Sequence, residues 1–436
     1  MMSFWIWAVL GICLYFFIRI QRPKNFPPGP KPVPIFGNLF QFNINNPLQD
    51  FERLAERFGI VYSLYIGRRP AVVLNGLKAI KEALVTKSVD FSGRPDNLLV
   101  SHMTEKKGVV MADYGPGWRA HRRFDLMTLR NFGMGKQSME TRILAEIEHM
   151  VARLEKNVGS TMNPQTLFHD AASNIIYLVL ISTRYDYEDK TLKEYVRMFV
   201  QITKMLNGPW GMIYDTLPVV RYLPLPFKKA FATMAVLKQK AADMINKHKS
   251  TRVPGQPRDF VDCYLDEINK GIDGSSFNEM QLVMHLLDLH VAGTDTTANT
   301  LLTAFLYLIT HPDVQEKCQQ EIDEVLDGKV HVSFEDRHNM PYTQAVIHEC
   351  QRVARTGTLI ITNLSSVLSE EGQWKFPQEF NPSNFLNEQG QFEKPEAFLP
   401  FSAGTPDFTP VYGITLTPKP YEMGIKLRRT AQEMQK

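Results

Sequence analysis

Apolar residues recur at helical spacing through the middle of the chain, from Asp113 to about Arg355, and Gly and Pro residues separate the runs. Two shorter stretches, VYSLYIG from Val61 and AVVLNG from Ala71, alternate as the residues of a small sheet do. The sequence therefore predicts one large, mainly α-helical domain with a minor β-sheet over residues 38–436.

The N-terminal segment has a different pattern. The first 18 residues, MMSFWIWAVLGICLYFFI, carry no charge and reach the lower limit of a membrane span. Arg19, Arg22 and Lys24 follow, which favours a cytosolic position for the next segment. A cleaved signal peptide is the alternative, but no small-residue cleavage site follows and the basic residues lie on the wrong side. We predict an uncleaved anchor over residues 1–20 and a stiff, proline-rich hinge over residues 21–37.

A second apolar stretch runs from Gly208 to Lys229 and is broken by prolines. It is either a loop between two helices, packed on the core, or a second membrane contact near a substrate entrance. The pattern leaves both interpretations open.

Composition narrows the class of protein. The chain has 436 residues, 44% hydrophobic and 22% charged, which excludes general disorder. Lys and Arg total 49 against 46 for Asp and Glu, a balance that does not predict a nucleic-acid partner. Cys13, Cys263, Cys318 and Cys350 have neither metal-ligand spacing nor a disulfide framework, which suits a reducing compartment.

One predicted helix is long enough to cross the domain. Ser276 and Glu279 have the S-x-x-E spacing of a capping box, and the helical pattern continues to Thr310, before Pro312. A helix of roughly 30 residues is about 45 Å long.

The centre of this helix, HVAGTDTTANT, is unusually polar for a core helix. Gly293 weakens a helix, Thr296 competes for backbone carbonyls, and burying Asp295 costs free energy unless it is hydrogen-bonded. The segment is either a kinked helix whose polar residues satisfy one another, or a helix opened beside a flat ligand. In the second interpretation an acid and an alcohol are placed to pass protons.

Two further pairs have helical spacing. Glu349 and Arg352 share a helix face, and the loop FPQEFNPSNFL contains anchors that can pack on them. Trp118 and Arg122 are four residues apart, so that an indole N–H and a guanidinium can both reach one carboxylate-bearing ligand.

These motifs occur in a recognisable order: anchor, proline hinge, W-x-x-x-R, A-G-x-D-T-T, E-x-x-R, aromatic–proline loop and F-x-x-G turn. In this order the chain resembles a microsomal cytochrome P-450 of the second, xenobiotic- and fatty-acid-oxidising family, over essentially its whole length. The resemblance implies the cytochrome P-450 fold, a haem cofactor and insertion of one oxygen atom into lipophilic substrates. It also implies electrons from NADPH-cytochrome reductase, with cytochrome b5 as a further partner. The implied location is the endoplasmic reticulum membrane, with a single N-terminal anchor and a cytosolic body.

The resemblance gives roles to particular residues. Asp295 and Thr296 match the acid–alcohol pair that delivers protons during oxygen activation. Trp118 and Arg122 match the contacts to the haem propionates. The remaining matches are the helix positions beside the haem and the buried structural ion pair: Ala292 and Gly293, and Glu349 with Arg352.

A basic cluster matches the face that meets the acidic flavin domain of the reductase. An ordinary solvated helix face is the alternative. The residues of this cluster are Arg119, Arg123, Arg130 and Lys136.

The chain departs from the family at the haem ligand. In the family, the turn that matches Phe401–Gly404 leads to an arginine and then to the cysteine that ligates iron. Here Pro406 and Phe408 occupy those positions, and no cysteine follows Cys350. The resemblance therefore predicts no metal ligand in this chain, with phenylalanine at the axial position.

Two segments of the family pattern are missing, near residues 355–356 and near residues 404–405. The second includes the helix that follows the cysteine and packs against the central helix. We therefore expect an internally truncated chain that is catalytically impaired, although its family is one of monooxygenases. The alternatives are a non-catalytic isoform that binds reductase or sibling enzymes at the membrane, and an incomplete gene model.

Overall fold

The computed structural model describes residues 11, 25–34, 36–43, 47–67, 69–96, 98–134, 137–271, 275–329, 331–353, 357–358, 364–400, 413–414 and 421–425. Most of these residues are helical, and the strands form small antiparallel pairs, which agrees with the predicted fold class. The helices are α1 (Pro47–Phe58), α2 (Leu77–Lys81), α3 (Leu99–Thr104), α4 (Pro116–Asn131), α5 (Gln137–Glu155), α6 (Pro164–Leu180), α7 (Lys190–Asn207), α8 (Pro209–Thr216), α9 (Phe227–Thr251), α10 (Phe260–Asn269), α11 (Glu279–Thr310), α12 (Pro312–Leu326), α13 (Pro341–Val353) and α14 (Leu364–Leu368). The strands are β1 (Val61–Ile66), β2 (Arg69–Leu74), β3 (Thr161–Met162), β4 (Gly357–Thr358), β5 (Gly413–Ile414) and β6 (Met423–Gly424).

The strands predicted from the alternating stretches are confirmed. β1 and β2 form an antiparallel hairpin in which Val61 pairs with Leu74 and Ile66 with Arg69. The other described pairs, β3 with β6 and β4 with β5, join segments far apart in the chain.

The described part of the predicted hinge packs along β1. Ser63 donates from its backbone N–H to the carbonyl of Pro28 (2.7 Å) and from its hydroxyl to that of Pro27 (2.6 Å). Gly37 has a φ of +62°, and a Cβ atom there would lie 2.2 Å from the backbone oxygen of Tyr65. Only glycine fits this close approach, and it allows the backbone to turn tightly against β1.

The predicted anchor over residues 1–20 lies outside the described residues, apart from Gly11. Within the part of the chain that the structure describes, no helix is both long and apolar enough to cross a bilayer.

The long helix ends where the sequence predicts and begins slightly later. α11 extends over 32 residues to Thr310, and Pro312 starts the next helix at its first position. The predicted cap was wrong: Asn278 is the N-cap, and its side chain accepts a hydrogen bond from the backbone N–H of Gln281 (3.0 Å). The carboxamide therefore replaces the Ser276 hydroxyl of the predicted capping box.

The proline-broken stretch from Gly208 to Lys229 is more regular than a loop. It forms α8 and a 3-10 helix over Pro218–Tyr222 before α9 begins. The core-packed interpretation holds for Tyr214, which is buried, whereas Val219 and Tyr222 are 71% and 89% exposed. The stretch thus has one face on the core and an apolar tip in solvent.

Two main clusters of buried side chains support the fold. The larger lies between α4 and the helices α6 to α11, with Phe227, Phe260 and Leu282 fully buried at its centre. The second joins β2, α2, α13 and α14 to the segment around Trp374 and Phe385. α11 crosses the first cluster, and its contacts with α6 are the most extensive of any described helix pair.

Candidate functional site

The central helix changes character at the predicted site. All the residues from Leu282 to His290 except Leu289 are buried, whereas Ala292 and Thr296 are exposed one turn apart. The Thr296 hydroxyl donates to the Ala292 carbonyl (2.5 Å), and the Thr300 hydroxyl donates to the Thr296 carbonyl (2.8 Å). α11 nevertheless continues as an uninterrupted helix. The opening of the helix beside a flat ligand stays a prediction, as does the alternative of a kinked helix, and the exposed strip lies where no described residue packs over it.

The neighbouring residues face the adjacent helix α6 instead. A Cβ atom at Gly293 would lie 2.3 Å from Cδ1 of Ile176, so glycine permits close helix packing there. Oδ1 of Asp295 lies 3.5 Å from Nε2 of His169, and Ser173 donates to the Thr294 hydroxyl (3.4 Å). Of the four predicted positions on α11, Ala292 and Thr296 face the exposed strip, whereas Gly293 and Asp295 contact α6.

Trp118 and Arg122 are both buried on α4, one turn apart. The Trp118 indole N–H donates to the carbonyl of Val109 (3.0 Å). The sequence predicted that this N–H would instead bind a carboxylate-bearing ligand. Pro116 occupies the first turn of α4, where its missing N–H costs nothing. The two side chains are therefore presented together, on a helix that the loop around Val109 connects to α11.

Asp288 connects α11 to the loop around Val109, and the sequence analysis did not predict a role for this residue. Its Oδ2 accepts hydrogen bonds from the backbone N–H groups of Val109 and Val110, both at 2.9 Å. Burial raises the pKa of Asp288 to about 6, and the two N–H donors oppose this shift. An acidic residue seven positions before Asp295 on a helix that crosses the core was the available signal.

Buried ionisable side chains also join α4 to α11. Nδ1 of His285 lies 3.1 Å from Oδ1 of Asp125, and both side chains are almost fully inaccessible. The ring of His121 contacts the Tyr264 hydroxyl through Nδ1 (3.1 Å), and burial lowers the pKa of His121 to about 4. The contact between Asp125 and His285 links the helix that carries Trp118 to the helix that carries Thr296, whereas the contact of His121 with Tyr264 links α4 to α10.

Glu349 and Arg352 form a buried bidentate ion pair on α13. Nε and Nη2 of Arg352 each donate to a Glu349 carboxylate oxygen at 2.7 Å, and both residues are at most 3% exposed. Arg352 also donates to the carbonyls of Leu368 (2.7 Å), Pro377 (2.9 Å) and Glu379 (2.6 Å). The pair therefore organises the aromatic–proline loop and the end of α14.

The same loop returns hydrogen bonds to the carboxylate. Oε1 of Glu349 accepts from the backbone N–H of Asn381 (2.7 Å) and from the side-chain amide of Asn384 (3.1 Å). Trp374 packs nearby, with the Arg352 guanidinium carbon 5.1 Å from its ring centroid. Each charge is thus satisfied several times within the core.

The three described thiols are protonated at neutral pH. Burial raises the pKa of Cys263 and Cys318 to about 11 and that of Cys350 to about 12. Cys318 and Cys350 pack with Val314 and Val346 between α12 and α13. Because the thiolate is the metal-binding form, none of these side chains is a ready ligand. Phe401, Gly404 and Phe408 lie outside the described residues.

The predicted basic cluster lies on the outer face of α4. Arg119, Arg123 and Arg130 are exposed, and the Arg119 guanidinium carbon lies 5.9 Å from the Tyr114 ring centroid. Lys136 is outside the described residues. The face opposite Trp118 and Arg122 is therefore both basic and solvent-accessible.

Comparisons with known proteins agree with the order of motifs. The family model described as Cytochrome P-450 matches residues 27–356 and, in a second piece, 353–405. Cytochrome P-450 2J5 of Mus musculus is 38% identical over 404 residues, which are 86% of this chain and 80% of the relative. Cytochrome P-450 2D15 of Canis lupus familiaris is 40% identical over 414 residues (88% and 83%). Vitamin D(3) 25-hydroxylase of Sus scrofa is 39% identical over 420 residues (88% and 83%).

Proposed function

The chain belongs to the cytochrome P-450 family, and from that premise we propose that it derives from a haem-thiolate monooxygenase but does not catalyse monooxygenation itself. The ancestral reaction inserts one oxygen atom into a lipophilic substrate, with electrons delivered from NADPH by a reductase. The observation that carries the proposal is Phe408, at the position where the family has its iron-ligating cysteine.

The helix side of a haem site is consistent with the residues present. Ala292 and Thr296 form an exposed strip that follows the buried turns from Leu282 to His290, and a flat macrocycle has room to lie there. The buried guanidinium of Arg122 suits a propionate, and the Trp118 N–H can join it by exchanging its bond to Val109. When bound to a cysteine thiolate, haem supplies oxygen activation. On the helix side, this chain's residues bind and orient such a group.

The residues at the axial-ligand side of the proposed haem site do not fit a haem-thiolate centre. Phenylalanine has no lone pair to donate to iron, and the thiols of Cys318 and Cys350 are buried, protonated and committed to apolar packing. Thiolate donation is what promotes O–O cleavage in this family. We therefore assign no catalytic step to Asp295 or Thr296 in the present chain.

We further propose that segments are missing near residues 355–356 and 404–405. In support, the family match is in two pieces that meet near Arg355, and it ends at Thr405. Apolar side chains are also uncovered on α5: Ile143, Ile147 and Val151, at successive turns, are 37%, 42% and 45% exposed. A stripe of this kind is typical of a helix that has lost a packing partner.

The location and partners follow from the family as proposals. We place the chain at the endoplasmic reticulum membrane through residues 1–20, with the exposed Val219 and Tyr222 as a second contact. The basic face of α4 is proposed to bind the acidic flavin domain of NADPH-cytochrome reductase, and cytochrome b5 to use the same face. Binding without turnover is the second candidate function, favoured by the exposure of Arg119 and Arg123.

The difference spectrum of the reduced chain with carbon monoxide tests the main proposal. We expect no thiolate-type Soret band, either for the chain as it is or for Phe408→Cys, because the helix that supports the ligand is also missing. A thiolate-type band from the unaltered chain would refute the proposal. A band from Phe408→Cys alone would limit the defect to one residue and contradict the missing segment.

Co-purification with reductase tests the second candidate. Arg119→Glu with Arg123→Glu is expected to abolish binding, whereas Lys228→Glu with Lys229→Glu reverses two exposed charges on α9 and is expected to leave it unchanged. Equal binding by both double variants would overturn this assignment. Sequencing of the transcript across Arg355–Thr356 and Gly404–Thr405 distinguishes a real isoform from an incomplete gene model.

A further inference from the structure

The turn between α9 and α10 contains a cluster of buried ionisable side chains that the proposed haem site does not use. His248 lies in the last turn of α9, Asp259 and Asp262 lie at the start of α10, and all three are at most 9% exposed. Each offers one ligand atom, and these atoms lie within 4.8 Å of one another. Such a cluster can hold either a metal ion or a proton, and its hydrogen bonds distinguish the two.

Both ring nitrogens of His248 face hydrogen-bond acceptors. Nδ1 lies 2.9 Å from the carbonyl oxygen of Met244, one turn earlier, and Nε2 lies 2.9 Å from Oδ2 of Asp259. A carbonyl oxygen only accepts, so Nδ1 carries a hydrogen, and the approach of Nε2 to Oδ2 is attractive only when a proton lies between them. Because imidazole is the stronger base of the two groups, the proton belongs to His248, which is therefore positively charged.

The charges around the imidazole favour a proton over a metal ion. Nε and Nη2 of Arg258 lie 2.6 and 3.1 Å from the two carboxylate oxygens of Asp262, and a guanidinium at this distance repels a metal cation. Burial alone would lower the pKa of His248. The hydrogen bonds to Asp259 and Met244 and the charges of Asp259 and Asp262 together raise this pKa above its ordinary value of 6.5.

The other charged groups beside the turn have partners of their own. Arg252 binds Asp266 on α10, with 2.7 Å between Nη1 and Oδ1. Lys249 binds Glu279, the first residue of α11. The charges that act on His248 are therefore the two carboxylates at the start of α10.

We propose that His248, Asp259 and Asp262 form a pH-sensitive clasp, which holds the turn between α9 and α10 closed while His248 is charged. The charged imidazole lies at the negative C-terminal end of α9, and Asp259 is the N-cap of α10, at its positive end. Loss of the Nε2 proton leaves two acceptors facing each other, and the clasp loosens. None of the residues assigned to the haem site takes part, so the inference goes beyond the proposed function and does not depend on it.

The direction of the pH effect follows from the raised pKa of His248. The clasp contributes its full stability below about pH 6.5, where the imidazole is charged in both the folded and the unfolded chain. This contribution is lost as the pH rises through the higher pKa of the folded chain. The turn should therefore open in alkaline solution.

A double-mutant cycle on the full chain measures the clasp. Urea unfolding is compared for the wild type, His248→Gln, Asp259→Asn and the double variant at pH 6 and pH 9. Asparagine is also a good N-cap, so Asp259→Asn removes the charge and keeps the cap. We expect the two substitutions to be coupled by about tenfold in the unfolding constant at pH 6, and by about twofold or less at pH 9. Equal coupling at both pH values, or none, would overturn the proposal.

Hydrogen exchange of residues 252–258 shows whether the turn itself opens. After correction for the intrinsic pH dependence of exchange, the protection of the wild type should fall by at least about threefold between pH 6 and pH 9. His248→Gln should remove this fall, whereas His149→Gln, at an exposed histidine on α5, should behave as the wild type does. The same fall in His248→Gln as in the wild type would contradict the clasp.

Two measurements on the wild type remain decisive if the variants fail to fold. Nitrogen NMR of His248 at pH 6 should show hydrogen on both ring nitrogens, and a neutral ring would overturn the proposal. Titration with Co²⁺, followed by its visible absorption, tests the metal alternative. No binding at this cluster is expected, and a bound ion with an imidazole and carboxylates as ligands would make the cluster a metal site instead.

Discussion

Replacing Glu349 by Gln should destabilise the chain more than any comparable change at an exposed ion pair. The substitution keeps the shape of the side chain but removes its charge, which leaves the Arg352 guanidinium buried at 3% exposure without its counter-ion. Breaking one partner of a buried pair costs about 3–5 kcal/mol. Since whole domains are stable by about 5–15 kcal/mol, this loss is a large fraction of the total.

The surrounding hydrogen bonds place the expected value within that range. Arg352 retains its four backbone carbonyl acceptors in the variant, and these hydrogen bonds offset part of the cost of the unpaired charge. A carboxamide also puts an N–H₂ donor where one carboxylate oxygen accepted from the guanidinium, and two facing donors repel. We therefore expect about 3 kcal/mol for Glu349→Gln, and more for Arg352→Met, which leaves the carbonyls of Leu368, Pro377 and Glu379 without this donor.

Urea unfolding of the purified chain, followed by circular dichroism, measures the loss. The matched control is Glu82→Gln, because Glu82 pairs with Lys87 at 2.9 Å while both side chains are more than half exposed. An exposed pair contributes at most about 1 kcal/mol. Equal losses for Glu349→Gln and Glu82→Gln would refute the argument that burial sets the magnitude.

Three further outcomes follow from the structure. Gly37→Ala should destabilise the chain by more than Gly59→Ala, measured by thermal unfolding, because both glycines have positive φ but only the first Cβ meets a backbone oxygen. Because its pKa is raised to about 6 on folding, Asp288 contributes stability below about pH 4 that is lost as the pH rises to about 6. Asp288→Asn should remove this decline, about 3 kcal/mol in the free energy of unfolding across that range. Cys318 and Cys350 should resist iodoacetamide in the native chain and react after denaturation, as peptide mass spectrometry will show.

Much of the fold was predictable from local signals. Pro312 cannot continue a helix, so the end of α11 at Thr310 followed directly from the sequence. The start of α11 was misjudged because Ser276 and Asn278 are both good N-cap residues, and the backbone conformation decides between them. The stretches from Val61 and Ala71 were sufficient to predict β1 and β2, although the four successive residues Tyr62–Tyr65 are buried and β1 is therefore covered on both faces.

The site was harder to predict, because spacing identifies residues that share a helix but not the element that each one faces. Asp295 and Thr296 are adjacent in the sequence, yet one contacts His169 on α6 and the other lies on the exposed strip. Neighbouring residues on a helix differ by about 100° in direction, so a two-residue motif cannot describe a single surface. The pair of Asp125 and His285 was missed for a related reason: its members lie on different helices and have no pattern until those helices pack.

Separate sets of contacts hold the two sides of the proposed haem slot. The helices of the fold can therefore keep their positions even if the residues needed for oxygen activation are absent. Trp118 and Thr296 lie on helices joined by Asp288 and the pair of Asp125 and His285, within or beside the larger core cluster. The ion pair on α13 instead organises the second cluster through the aromatic–proline loop. Neither set includes a residue of the segment that would carry the axial ligand. The proposed loss of that segment would therefore remove the sulfur and uncover apolar surface on α5, while the described contacts of Asp288, Asp125 and Arg352 would remain.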